Sequence, residues 1–323
     1  MKAMKKSKYK ALFAGILLFL ALLFVVTHYG DLARFAVLLS HLDIRWIVIS
    51  CLLQFATYIS LAMIWYRTLS YNGRRYPLDK LIPLALAKLF ADQALPSGGI
   101  SGIAFIVSAF RRRNVSDSIG MGVMLLSVLS FYIAYAIVAS SAFLVLWIYH
   151  DIHQWTVLLA GIFFVFVFVV PGGILLLKQL GREDRLPAWL NRLPFISAML
   201  ETFAHVSDES DEALRNPMLM VEATFYQIMI FLLDSATLWS MLQALGEPVS
   251  ALVAFPCFVI ASIVALLSFI PLGLGSFEAT CVGLLVTMGI SLETALTATL
   301  LLRGFTLWLP MIPGVLLTRR ELR

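Results

Sequence analysis

The sequence predicts an all-α polytopic membrane protein: about six full transmembrane helices plus two re-entrant, broken-helix hairpins, arranged as inverted-topology repeats. Three observations carry that expectation. Hydrophobic residues make up 61% of the 323 and charged ones only 13%, with a mean hydropathy of +0.92, against roughly 45–50% apolar residues in a soluble domain. Several apolar runs have the length of a bilayer crossing. Two further runs are interrupted near their middles by Pro–Gly clusters. A soluble chain of this size needs more polar surface to cover its cores, so the apolar excess faces lipid.

The first element follows a segment, Met1 to Lys10, that carries five lysines and no acid. The apolar run after it leads into Thr27-His28-Tyr29-Gly30, which lacks the small residues of a signal-peptide cleavage site. Residues 11–28 are therefore read as an uncleaved first span. Since a crossing takes roughly 20 apolar residues, further spans are expected at 46–69, 119–149, 155–178, 218–244 and 292–317. The run 119–149 is long enough to tilt or project beyond the bilayer. Trp46, Tyr71, Trp147, Tyr149 and Trp155 cluster at span ends, as interfacial anchors do. Cys51, Cys257 and Cys281 lie inside apolar runs without metal-ligand or redox spacing and are expected to be buried thiols.

The stretches 78–110 and 250–289 break at Leu95-Pro96-Ser97-Gly98-Gly99 and at Ile270-Pro271-Leu272-Gly273-Leu274-Gly275. Proline removes a backbone donor and glycine weakens a helix. Basic clusters at 2–10, at Arg74 and Arg75, at Arg111 to Arg113, at Lys178 to Arg192 and at Arg319 and Arg320 mark the cytoplasmic side. They all fall on one side only if 78–110 enters and leaves from the cytoplasm and 250–289 from the opposite face. Both stretches are thus read as re-entrant hairpins, and both termini as cytoplasmic. The polar stretch 179–216 reads as a cytoplasmic linker with one surface helix.

The broken stretches also match each other. Pro96 and Pro271 are 175 residues apart (271 − 96), and at that offset Gly98 meets Gly273, Ser101 meets Ser276, and Asn114-Val115-Ser116 meets Gly289-Ile290-Ser291. The chain, 1–323, reads as a single membrane domain of two halves, 11–149 and 155–317, in opposite orientations. Inverted repeats with discontinuous helices characterise transport folds. Leu-rich helices align easily by chance, and the matched Pro, Gly and Ser positions are what favour a true repeat.

Irregular backbone at membrane depth persists only where protein or a water-filled cavity satisfies it, so each break implies a polar pocket. Helices restarting after Gly99 and Gly275 would point free amides at an anion such as a phosphate, with Ser97, Ser101 and Ser276 as hydroxyl donors. The plainer alternative is that these glycines serve close helix packing. Ionisable residues within spans are functional candidates: Glu278 just past the second break, Arg303 near the centre of the last span, and Asp234 well inside 218–244. Arg303 either pairs with Glu278 in a structural ion pair or holds a substrate phosphate through its planar fork. Lys88 and Asp92, four residues apart, share a helix face; with Gln93 they line the mouth of the first pocket, or they neutralise each other. Arg67, near a span end, is read as snorkelling to the interface. No catalytic triad, zinc spacing, phosphate loop or dinucleotide fingerprint occurs. Neither enzyme activity nor a cofactor or metal is expected.

The motif Leu95-Pro96-Ser97-Gly98-Gly99-Ile100-Ser101-Gly102, together with Pro271-Leu272-Gly273-Leu274-Gly275-Ser276-Phe277-Glu278, then Gly289, Arg303 and Pro313-Gly314, resembles the lysylphosphatidylglycerol synthase transmembrane-domain family. The resemblance covers nearly the whole chain. This group is often described as flippase-like. It implies movement of aminoacylated phosphatidylglycerol, or of other anionic or polyprenyl lipids, between leaflets. It puts Pro96, Gly98, Gly99, Pro271, Gly273, Gly275, Glu278 and Arg303 on matching positions, while Gln93 departs from the asparagine expected there. Family members that synthesise the aminoacyl lipid carry a further soluble transferase domain. The end of this chain at Arg323 therefore implies, by resemblance, a transport module without synthase activity.

The expected function is a lipid flippase or translocator for an anionic phospholipid or a polyprenyl-phosphate-linked lipid, integral to the plasma (bacterial inner) membrane. The alternatives are a secondary transporter of a small anion and an accessory membrane subunit of a separate lipid- or glycan-modifying enzyme. Membrane lipids are the expected partners, and nucleic acid is not.

Overall fold

The computed structural model describes residues 42–94, 100–149, 154–182, 213–268 and 270–322. The expected span 11–28, the first break with Pro96, Ser97, Gly98 and Gly99, and most of the linker 179–216 lie outside them. Among the described residues the elements are α1 (Ile44–Tyr71), α2 (Leu78–Ala94), α3 (Ile100–Arg111), α4 (Asp117–Tyr149), α5 (Gln154–Arg182), α6 (Pro217–Ala244), α7 (Ala251–Leu267), α8 (Ser276–Thr287), α9 (Leu292–Arg303) and α10 (Leu309–Leu322). A 3-10 turn, Pro271–Gly273, separates α7 from α8, and a π-helical turn, Gly304–Trp308, joins α9 to α10.

Local chemistry sets the ends. Asp43 caps α1 by accepting from Arg45 N, and Asn216 caps α6 with Pro217 at the first helical position. Ser250 and Ser291 cap α7 and α9 in the same way. After α1 and α6 the chain turns at Gly73 (φ +70°) and Gly246 (φ +82°).

Four stretches are long and apolar enough to cross a membrane: Ile44–Tyr71, Asp117–Ile148, Pro217–Ala244 and Leu292–Thr318. They fall on the expected spans 46–69, 119–149, 218–244 and 292–317. The expected span 155–178 lies within α5, a helix of 29 residues, and its side chains beyond Gly173 lie outside the described residues. Four of the six expected spans are thus seen at full crossing length among the described residues, and the span 11–28 lies outside them. With 17 residues in α2 and α7 and 12 in α3 and α8, no leg of either broken stretch reaches the roughly 20 residues of a crossing.

The first three helices of each series match in length, with 28, 17 and 12 residues, whereas α4 has 33 and α9 has 12. The shift is 173 residues for α1 to α6 (217 − 44) and for α2 to α7 (251 − 78), 176 for α3 to α8 (276 − 100), and 175 for α4 to α9 (292 − 117). These shifts bracket the offset of 175 read from the sequence. The second break holds extra residues, because it winds through the 3-10 turn before α8 starts.

Packing divides the interior into two clusters. One joins the C-terminal half of α1 to α2, α3, the start of α4 and the start of α6, through Trp65, Leu69, Leu84, Phe110, Met124 and Leu219. The other joins the later parts of α4 and α6 to α5, α7, α8 and α9, through Tyr135, Phe163, Phe231, Val259 and Leu285. The two broken stretches thus sit toward opposite ends of α4 and α6. Helices α1 and α6 run antiparallel along a polar seam. Ser50 and Ser240 hydroxyls lie 2.6 Å apart, Gln54 reaches Asp234 and Thr237, and Arg67 grips Glu222. Such contacts hold helices together where lipid removes the hydrophobic drive. Apolar side chains face outward, as at Phe168 and Ile312. Cys51 is exposed on that outer face beside Leu52 and Phe55, not buried as expected, while Cys257 and Cys281 are buried.

Candidate functional site at the helix breaks

The second break is built from residues that tolerate left-handed backbone and one that does not favour it. Gly273 (φ +60°) and Gly275 (φ +85°) take this conformation readily, whereas Leu272 (φ +62°) does so against its Cβ. A Cβ on Gly273 would stand 2.6 Å from that of Ala265, so close approach to α7 also requires glycine there. Ser276 lies 3.0 Å from Ser268 and 3.1 Å from the Gly273 carbonyl, tying α8 back to the end of α7.

Glu278, in the first turn of α8, returns one oxygen to the Gly275 N–H at 2.6 Å, one arm of a capping box. Its other oxygen accepts from Arg303 Nε at 2.5 Å. Arg303 Nη2 donates to the Leu272 carbonyl at 2.6 Å, and its guanidinium carbon sits 4.7 Å from the Phe277 ring centroid. The pair is mostly enclosed, with 12% of the arginine and 19% of the glutamate side chain exposed. Of the two readings of Arg303, the structure displays the ion pair, and the pair is wedged into the break itself. The π-helical turn begins at the next residue, Gly304, a feature frequent at functional sites.

The flank of the first break repeats this logic with different parts. Lys88 and Asp92 pair at 2.6 Å, and Asp92 accepts from the Gly102 N–H at 3.0 Å near the start of α3. Ser101 donates to the Ala91 carbonyl at 2.9 Å. A Cβ on Gly102 would collide with the Asp92 carboxylate. Each helix that follows a break therefore has a carboxylate on its N-terminal amides and a cation on that carboxylate. Gln93 belongs to α2, but its side chain lies outside the described residues, as do the site residues Pro96, Ser97, Gly98 and Gly99 and the side chain of Pro271.

Asp234 is brought to neither break. It lies in the α1–α6 seam, where Gln54 Nε2 donates to it at 2.8 Å. Arg67, read as a snorkelling residue, has a bidentate partner in Glu222 at 2.7 and 2.6 Å. Sequence reasoning missed Gln54, Leu272 and Phe277. An amide in the middle of a span was a readable signal for Gln54. Nothing in the sequence marks the Leu272 carbonyl, which becomes a ligand only because its backbone is left-handed. Among the described residues no three His, Cys, Asp or Glu side chains converge as a metal site.

The arrangement offers a guanidinium, backbone amides and hydroxyls at a helix break, and these are groups that recognise an anion. The sequence profile of the lysylphosphatidylglycerol synthase TM region matches residues 12–314. No curated protein matches the chain. With the match covering nearly the whole sequence, the chain belongs to that family and is an integral membrane protein of the lysylphosphatidylglycerol synthase or flippase-like type.

Proposed function

We propose that this family member moves a lipid with an anionic headgroup, an anionic phospholipid or a polyprenyl-phosphate-linked lipid, between leaflets without covalent chemistry. The observation that carries the reading is Arg303: a guanidinium held inside a membrane bundle at a helix break, with a fork suited to a phosphate. Entry from the lipid side is supported by Ile270 and Leu274, whose apolar side chains at the break are 45% and 43% exposed. The headgroup displaces Glu278 from Arg303 and from the Gly275 N–H.

Two inverted halves, with α2–α3 and α7–α8 dipping in from opposite faces, are supported by the repeated helix lengths and by the two clusters at opposite ends of α4 and α6. Rocking of such halves exposes a central site to each side in turn. Both termini lie in the cytoplasm and the host membrane is the plasma (bacterial inner) membrane. This topology requires single cysteines introduced by Arg112→Cys and Pro248→Cys to be labelled from opposite sides.

Binding of fluorescent phosphatidylglycerol to protein in phosphatidylcholine nanodiscs tests the reading. Arg303→Ala is expected to weaken binding about tenfold, equivalent to roughly 1.4 kcal/mol. Glu278→Gln, which keeps an acceptor for Gly275 but removes the competing charge, is expected to tighten it. Unchanged affinity in Arg303→Ala overturns the site. Complete competition by inorganic phosphate would favour a small-anion transporter.

A further inference from the structure

The seam between α1 and α6 contains a charge that the break does not use. Asp234 lies ten residues before Ala244, roughly 15 Å along the helix from its end and so inside the bilayer-crossing part. Gln54 Nε2 donates to its Oδ1 at 2.8 Å and to Thr237 Oγ1 at 3.0 Å. The Thr237 hydroxyl proton goes to the Leu233 carbonyl at 2.8 Å, so that hydroxyl does not serve the carboxylate. An ionised carboxylate offers about four acceptor positions, and among the described residues one neutral amide donor meets it. Among the described residues no Lys or Arg comes within ion-pair distance of Asp234, whereas Glu278, Asp92 and Glu222 each have their cation.

Among the described residues, nothing on the neighbouring helices supplies the missing charge. Helix α1 presents Gln54 and Tyr58 to Asp234, and its Arg67 is committed to Glu222. The one charged residue of α4 is Asp117, held by Arg111, and its Tyr135 stacks on Phe231. Helix α7 carries no ionisable side chain but Cys257. In α9, Glu293 stands at the start and Arg303 is bound to Glu278.

We propose that Asp234 is a proton-binding site that couples lipid movement to the proton gradient. In a bilayer interior an unpaired carboxylate is costly, and a proton from water removes that cost without any other cation. The Gln54–Asp234 bond joins the two halves across their longest shared seam. Protonation converts it from a charge-assisted bond into a neutral one roughly half as strong, which eases relative movement of the halves. The proposal rests on the transport reading of the break but uses a different residue and a different ligand.

Asp234→Asn tests it, because the asparagine oxygen still accepts from Gln54; circular dichroism and gel filtration verify the fold. Infrared difference spectra of the purified full chain, stepped in pH, are expected to show a protonated-carboxyl band that disappears in Asp234→Asn. In proteoliposomes, a gradient of about one pH unit is expected to bias fluorescent phosphatidylglycerol toward one leaflet by up to about tenfold, and not at all in Asp234→Asn. Persistence of the band or of the bias in that variant overturns the proposal. So does a bias driven by a sodium gradient in place of the pH gradient. A band lost in Asp234→Asn from a protein that moves no lipid supports the proton site and overturns the transport reading instead.

Discussion

Replacing Arg303 by alanine removes a guanidinium that holds Glu278 at 2.5 Å and the Leu272 carbonyl at 2.6 Å and covers the Phe277 ring. Deleting one member of a buried ion pair costs roughly 3–5 kcal/mol, because the other charge stays desolvated. Glu278 keeps the Gly275 N–H as a partner and is 19% exposed, so the lower end, about 3 kcal/mol, is expected. Glu278→Gln retains the helix cap and is expected to cost about 2 kcal/mol, since it strands the arginine less completely. If uncompensated charge is the main penalty, the double variant Arg303→Ala/Glu278→Gln should be no less stable than Arg303→Ala alone. The coupling would then be about 2–3 kcal/mol. Equilibrium unfolding in mixed micelles, followed by circular dichroism and tryptophan fluorescence, measures all three. Additivity within about 0.5 kcal/mol refutes the reasoning, because it means the two side chains do not depend on each other.

Leu272→Gly keeps the carbonyl that binds Arg303 and relieves a left-handed leucine; the folded state is expected to gain up to about 1 kcal/mol, offset in part by the freer unfolded chain. Gly314→Ala places a Cβ 2.7 Å from that of Phe90 and 3.1 Å from the Leu86 carbonyl. It should push α10 off α2 at a cost of about 1–3 kcal/mol, and Phe90→Ala in the same chain, which keeps the clashing Cβ, should not recover that loss in the same unfolding assay. Ser50→Cys combined with Ser240→Cys puts two sulfurs where hydroxyls now lie 2.6 Å apart, within reach of a disulfide of about 2.05 Å. Oxidation should cross-link α1 to α6, read as a gel-mobility shift that reductant reverses, and should stop lipid movement if the halves rock along this seam.

Much of the fold was legible because its causes are local. Runs such as 46–69 and 218–244 declare their solvent by composition, and caps such as Asn216-Pro217 and Ser291 declare where helices start. The break at Pro271–Gly275 was readable because proline and glycine act on their own backbone. The legible part of the site was its residue types: Glu278, Arg303, Lys88 and Asp92 stood out as charges where charges are costly. Their partners did not. Arg67 looked like a snorkelling residue until Glu222, 155 positions away, was brought beside it. The helix starts stay within two residues of the offset of 175, and the difference lies in the second break, which winds through a turn that spacing alone does not reveal.

By itself, then, the sequence determined that the chain lives in a bilayer, where its helices interrupt and which charges the bilayer must tolerate, since each of these follows from a residue and its immediate neighbours. Only the tertiary structure decided how those charges are satisfied: Glu278 on its own helix terminus and on Arg303, Asp92 on Gly102, and Asp234 on the amide of Gln54. The physical reason is that neutralising a charge away from water depends on distance in space, and the partners here lie up to 180 positions apart in the chain.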